Sequence, residues 1–237
     1  MRIKKKLLVI ITCIFFFFPC NSDGIKHIII DFSGVLRPLQ TLFNSYAQEF
    51  GYTAEEFGSI TNKGMVEFLT KDLGVTKRQI GLKAVTLWRM ATNHIIETPM
   101  HEDVKDVLHK LHRKGYGISI LTSIKRETVL TILQREGLTG IVEYAPAGNL
   151  VDSFLFRHVK IRQLLRKKKL QPHQVLYIGD EASHMKIYQR KISRKEEFPT
   201  CAATWGMNSK ETLSKIEPTF IIDSPEELLR ILPPLEV

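Results

Sequence analysis

The chain has 237 residues, of which 43% are hydrophobic and 25% charged, with a formal net charge of +9. This length supports one large domain, or a domain with an insert, around a sizeable core, and the composition excludes an intrinsically disordered chain. Four basic residues lie within the first six positions, so the remainder is near +5 without them, a mild basicity that does not point to nucleic acid.

In chain order, Arg2, Lys4, Lys5 and Lys6 precede an apolar run from Leu7 to Phe18, shorter than the about 20 residues a spanning helix needs. Residues 1–22 read as a secretory signal, with Cys20 and Ser22 as the small residues before cleavage. A lipidated Cys20 or an uncleaved anchor are the alternatives, and an uncleaved segment is the only membrane contact expected. The protein is then exported (periplasmic or secreted) if the signal is real, and cytoplasmic otherwise. A cleaved chain keeps only Cys201, expected to be a buried, inert thiol. No CxxC or His/Cys cluster suggests structural zinc.

Beyond the leader, β-like runs at 27–30, 117–122, 174–178, 200–204 and 219–222 alternate with helical patterns, which argues for an α/β fold with a parallel sheet covered by helices. The helix near 101–114 places Val104, Val107, Leu108 and Leu111 on one apolar stripe. Ser224-Pro225-Glu226-Glu227 reads as a capping box opening the last helix. Arg166-Lys167-Lys168-Lys169 reads as the solvated end of a helix, where cations also suit the dipole.

Residues 37–98 break the rhythm. Their pattern is helical, at about 39–50, 61–71 and 77–96, punctuated by Gly51, Gly74 and Pro99. Ile80, Ala84, Leu87, Trp88, Ala91 and Ile95 share one face of the last of these, and Trp88 and Met90 read as core packing. The segment is expected to form a helical insert over the mouth of the sheet. The core is accordingly 23–36 with 99–237.

Three strands end in chemistry-bearing residues. His27-Ile28-Ile29-Ile30 runs into Asp31-Phe32-Ser33-Gly34-Val35. Ile118-Ser119-Ile120-Leu121 runs into Thr122-Ser123. Val175-Leu176-Tyr177-Ile178 runs into Gly179-Asp180-Glu181-Ala182-Ser183-His184. In open α/β sheets such ends meet in one crevice. With Thr204-Trp205-Gly206 and Ile222-Asp223-Ser224-Pro225, these motifs resemble the haloacid dehalogenase-like hydrolase superfamily, in its subgroup with a helical cap between the first two motifs. The resemblance covers about residues 25–232 and implies a Rossmann-like core.

It further implies a magnesium-dependent phosphatase acting on a small phosphorylated substrate. Asp31 is then the nucleophile, and an aspartyl-phosphate forms and is cleaved by water. Thr122, with Ser123 and Gly34, holds the phosphate. A basic residue, Arg157 or Lys160, neutralises developing charge. Asp31, the Ser33 carbonyl, Asp180 and Glu181 provide oxygen ligands for Mg2+. Two positions depart from the pattern. Ser33 stands where relatives carry a proton-shuttling aspartate, which a hydroxyl replaces poorly near neutral pH. His184 stands where they carry a second acid, and reads otherwise as a surface helix residue; Glu181 is the acid placed to compensate. A non-catalytic binding protein on the same fold, and a metal-independent dehalogenase, are the competing readings.

Overall fold

A computed structural model describes residues 24–51, 70–71, 74–122, 124–145, 150–192 and 197–235. The expected leader, Ser123 and nearly all of the helix expected at 61–71 lie outside the described residues.

Six parallel strands form one sheet: β1 (His27–Asp31), β2 (Gly117–Leu121), β3 (Val142–Ala145), β4 (Val175–Gly179), β5 (Thr200–Ala203) and β6 (Phe220–Ile222). Their order is β3-β2-β1-β4-β5-β6. The chain winds outward from β1 to β3 in one direction, then from β4 to β6 in the other, so the order reverses between β1 and β4. That is where a doubly wound sheet opens its crevice. The sequence runs match β1, β2, β4, β5 and β6. They omit β3, whose Val142-Glu143-Tyr144-Ala145 is short and lies at the sheet edge, where no continuous apolar run is required.

Alternate residues of the inner strands enter two cores. On one face Ile28 and Ile30 meet α4 (Glu102–Arg113) through the expected stripe of Val104, Val107, Leu108 and Leu111, together with α5 (Arg126–Arg135) and α9 (Leu228–Ile231). On the other, Ile29, Leu121 and Tyr177 pack against Ile161 and Leu165 of α6 (Leu150–Lys168) and Met185 and Tyr188 of α7 (Ala182–Ile192). The basic run lies at the end of α6, with Arg166, Lys167 and Lys169 exposed. Cys201 is buried, and burial pushes its thiol upward in pKa. The capping glutamate is in place: Glu227 Oε1 accepts the Asp223 and Ser224 amides at 3.0 and 3.2 Å. The turn it caps is a 3-10 turn (Pro225–Glu227) that leads into α9, the short α8 (Lys210–Ser214) lying between β5 and β6. Among the described residues no helix is long and apolar enough to cross a membrane.

Between β1 and β2 the described residues are helical: α1 (Gln40–Glu49), α2 (Lys77–Leu82) and α3 (Ala84–Glu97). The helix expected at 77–96 is thus broken at Lys83. Its ammonium meets Glu49 Oε1 at 2.7 Å, at the carboxyl end of α1, and lies 5.0 Å from the Phe50 ring centroid, a position the helix dipole favours. Leu87 is buried and Ile80 half-buried, as the shared face predicts; the side chains of Ala84, Trp88, Ala91 and Ile95 lie outside those described.

Both ends of this segment are tied to the core by a buried ionic cluster. Arg37 donates to the Thr98 carbonyl and to Glu136 Oε1 (3.3 Å). Glu136 also accepts from Arg135 at 2.8 Å and Lys105 at 3.3 Å. The Arg37 and Glu136 side chains are 2% and 5% exposed. Burial, and then the neighbouring Arg135, lower the Arg37 pKa to about 10. Removing one partner of a buried pair leaves an uncompensated charge, so Glu136→Gln is expected to cost about 3 kcal/mol of unfolding free energy. Urea denaturation of the two proteins measures this.

Candidate active site

Asp31 ends β1 and Asp180 follows β4, so the two carboxylates flank the crevice at the reversal of strand order. Asp31 is paired with Leu121 across the ladder, which sets Thr122 one residue further along the adjacent strand. Both carboxylates and Thr122 are buried. Thr122 Oγ1 accepts the Ile124 amide at 3.3 Å.

The loop after β1 is a tight turn. The Gly34 amide donates to the Arg37 carbonyl at 2.9 Å, and the Leu36 amide to Phe32 at 3.2 Å. Gly34 has φ +86°, and a Cβ there would lie 1.8 Å from Asp180 Oδ2. Only glycine satisfies both the backbone and the packing. Ser33 is half-buried within this turn.

The loop after β5 supplies the other wall. The Trp205 indole donates to the Val35 carbonyl at 3.0 Å, tying the two loops together. The Met207 amide donates to Asp180 Oδ2 at 2.7 Å. Asn208 spans the Asp180 backbone, its amide donating to the Asp180 carbonyl at 3.1 Å and its Oδ1 accepting the Ala182 amide at 2.8 Å.

Asp31 is held from several directions. Its Oδ1 accepts the Phe32 amide at 2.9 Å. Its Oδ2 accepts from Arg157 Nη1 at 3.2 Å and from the Tyr177 hydroxyl at 3.1 Å. His184 Nδ1 stands 3.9 Å from the same oxygen, 3.3 Å from Arg157 Nη1 and 3.1 Å from Glu181 Oε2. Burial alone would raise the Asp31 pKa, but the Arg157 guanidinium and then the His184 ring outweigh it, and the carboxyl is held below its ordinary range. Asp180 goes the other way. Burial, and then the charge on Asp31, push it up to about 8.

The structure therefore brings Asp31, Asp180, Arg157, Glu181, Thr122, Ser33 and Gly34 to one end of the sheet. Of the two basic candidates, Arg157 reaches Asp31. Lys160 lies nearly one turn further along α6, half-buried, with no bond to Asp31 among the described residues. His184 corrects the surface reading: its side chain is only 14% exposed and meets the site residues. Sequence reasoning missed Tyr177, which looks like one more core residue of an apolar strand, and the Met207 amide, which carries no side-chain signature.

Comparison with known proteins agrees with this geometry. A family model for haloacid dehalogenase-like hydrolases matches residues 28–190. The chain belongs to that family. A phosphoglycolate phosphatase of Synechococcus elongatus is 24% identical over 211 residues, covering 86% of this chain and 96% of the relative. A pyrophosphatase of Bacillus pumilus is 25% identical over 139 residues, covering 59% and 62%. A haloacid dehalogenase-like hydrolase structure from Streptococcus pneumoniae superposes with a TM-score of 0.64 at 20% identity, covering 89% of this chain and 99% of that one.

Haloacid dehalogenase-like phosphatases use magnesium, and the donors here suit it. Asp31 and Asp180 offer carboxylate oxygens, with Glu181 nearby, and Ser33 would add its carbonyl; the His184 ring nitrogen is engaged by Glu181 and Arg157. Among the described residues no cluster of three or more His, Cys, Asp or Glu forms a closed metal cage; magnesium characteristically takes one or two carboxylates and fills its sphere with water and phosphate. Burial and the charge on Asp31 push the Asp180 carboxyl up to about 8, and a cation between the two carboxylates would favour the charged form of both.

That raised pKa has a consequence for the metal-free protein. The folded chain holds the Asp180 proton to about pH 8, whereas the ordinary value is 3.8. Its contribution to stability is therefore fully present below the ordinary value and lost as pH rises through the folded one. His27, whose pKa burial lowers from 6.5 to about 4, opposes this slope over its own window. Between the ordinary pKa of His27, 6.5, and about pH 8, unfolding free energy is expected to fall with pH, and Asp180→Asn to flatten that fall. Chemical denaturation in chelator across this window checks it.

Proposed function

We propose that this chain is a phosphatase of a small phosphorylated molecule, working through Asp31. The observation that supports it most is the state of that carboxylate: buried, kept anionic by Arg157 and His184, and beside a second carboxylate at the mouth of the sheet. Relatives named as phosphoglycolate phosphatase and pyrophosphatase point to the same class of substrate.

In this reading an Asp31 carboxylate oxygen attacks phosphorus, the bond to the leaving oxygen breaks, and water later cleaves the aspartyl-phosphate. Bound magnesium supplies the positive charge that lets two anions meet. Arg157 turns from Asp31 towards the transferring group and takes up its developing charge. The Thr122 hydroxyl donates to a phosphate oxygen. Ser33 cannot protonate the leaving group as an aspartate would, so turnover is slow. The helical insert acts as a cap that limits entry to small substrates and keeps water out. Residues 1–22 act as an export signal, which the intact mass of the cellular protein tests.

A non-catalytic binding role is the second reading, favoured by Ser33 and by the direct engagement of Asp31 by Arg157. Hydrolysis of p-nitrophenyl phosphate by the purified chain, with magnesium and with chelator, separates the two. Turnover is expected with magnesium and is expected to fall at least about a thousandfold in Asp31→Asn. Ser33→Asp restores a proton carrier and is expected to raise kcat about a hundredfold. Equal turnover in wild type and Asp31→Asn would defeat the phosphatase reading; a folded, magnesium-loaded but inactive wild type would favour the binding one.

A further inference from the structure

Tyr177 is buried in the middle of β4, yet its hydroxyl does not end in the core. It donates to Asp31 Oδ2 at 3.1 Å. The strand register explains how it gets there. Ile29 pairs with Tyr177 and Ile30 with Ile178, so one further step sets Gly179 beside Asp31. Side chains two apart on a strand share a face, so a side chain at 179 would stand between the tyrosine and the carboxylate. A Cβ at Gly179 would lie 2.6 Å from Tyr177 Cε1 and 2.7 Å from its hydroxyl oxygen. The ring fills the place that the missing side chain vacates. Tyr188 of α7 packs edge-on against it, ring centroids 4.7 Å apart at 78°, and fixes its plane.

Of the side-chain donors to Asp31, Arg157 is the one that an incoming anion competes for. The Tyr177 hydroxyl is neutral, fully buried and held against Asp31 from within the strand layer. A phenolic hydroxyl is neutral near pH 7 and donates to a carboxylate there.

We infer that Tyr177 is the positioning residue of the nucleophile: its hydroxyl fixes the orientation of the Asp31 carboxylate when Arg157 turns to substrate, and Gly179 is small so that it can. This rests on the reading of Asp31 as nucleophile. It places a functional hydrogen bond in a strand residue that otherwise reads as core packing.

Tyr177→Phe keeps the ring and removes the hydroxyl. With p-nitrophenyl phosphate and magnesium, kcat is expected to fall about tenfold, the size carried by a hydrogen bond to a charged group, with KM unchanged. A purely structural role would lower thermal stability and leave kcat per folded molecule intact; that result, or a kcat within twofold of wild type, would overturn the inference. A double-mutant cycle on urea unfolding, with Tyr177→Phe and Asp31→Asn singly and together, reads the same bond without turnover. Coupling between the two changes is expected, and strict additivity would overturn it. A wild type with no turnover would defeat the phosphatase reading, while the cycle would still decide whether Tyr177 holds Asp31.

Discussion

Everything at the mouth of this sheet is arranged around two carboxylates that should not be neighbours. Asp31 and Asp180 are both buried, and the charge on the first pushes the second up to about 8. Proximity of like charges in a desolvated crevice is costly unless cations or directed donors stand nearby. The surrounding residues divide that task. Arg157, Tyr177 and the Phe32 amide serve Asp31, while the Met207 amide serves Asp180. Gly34 removes the bulk that would otherwise force the first loop away from Asp180.

Two nitrogen-bearing side chains line one side of the crevice. An arginine and an imidazole converge on one oxygen of Asp31, and His184 in turn engages Glu181. A guanidinium is planar and presents several donors in a fixed fork, whereas an ammonium is a compact point charge. Arg157 can therefore hold Asp31 while keeping donors directed elsewhere. His184 thus brings a ring nitrogen, within reach of Arg157 and Glu181, to this side of the crevice.

What the sequence discloses depends on which physical constraint leaves a mark on residue type. The inner strands are covered by helices on both faces, so their residues are mostly apolar and can be read as runs, the buried His27 and Ser119 of β1 and β2 satisfying one another at 2.8 Å. β3 is at the edge, where Glu143 reaches Lys168 at 2.8 Å, and leaves no such mark. The break in the helix falls at Lys83, whose side chain makes a tertiary ion pair with Glu49 that a periodicity count does not see. Asp31, Asp180 and the basic partner on α6 were legible because strand ends converge in a doubly wound sheet. The choice of Arg157 over Lys160 was not, because it depends on how α6 is rotated against the sheet. Tyr177 was hidden for the opposite reason: its position is apolar by pattern, and only the register with Gly179 shows where its hydroxyl goes.

The ionic cluster at the base of the helical insert joins two parts of the protein that are distant in sequence. The Arg37 carbonyl closes the turn that follows Asp31, accepting the Gly34 amide, while the Arg37 side chain grips the Thr98 carbonyl on the returning linker. His94, further into the insert, meets the Pro38 carbonyl. Both linkers of the insert therefore meet at Arg37, the residue whose carbonyl closes the turn after Asp31 and whose side chain is buried against Glu136.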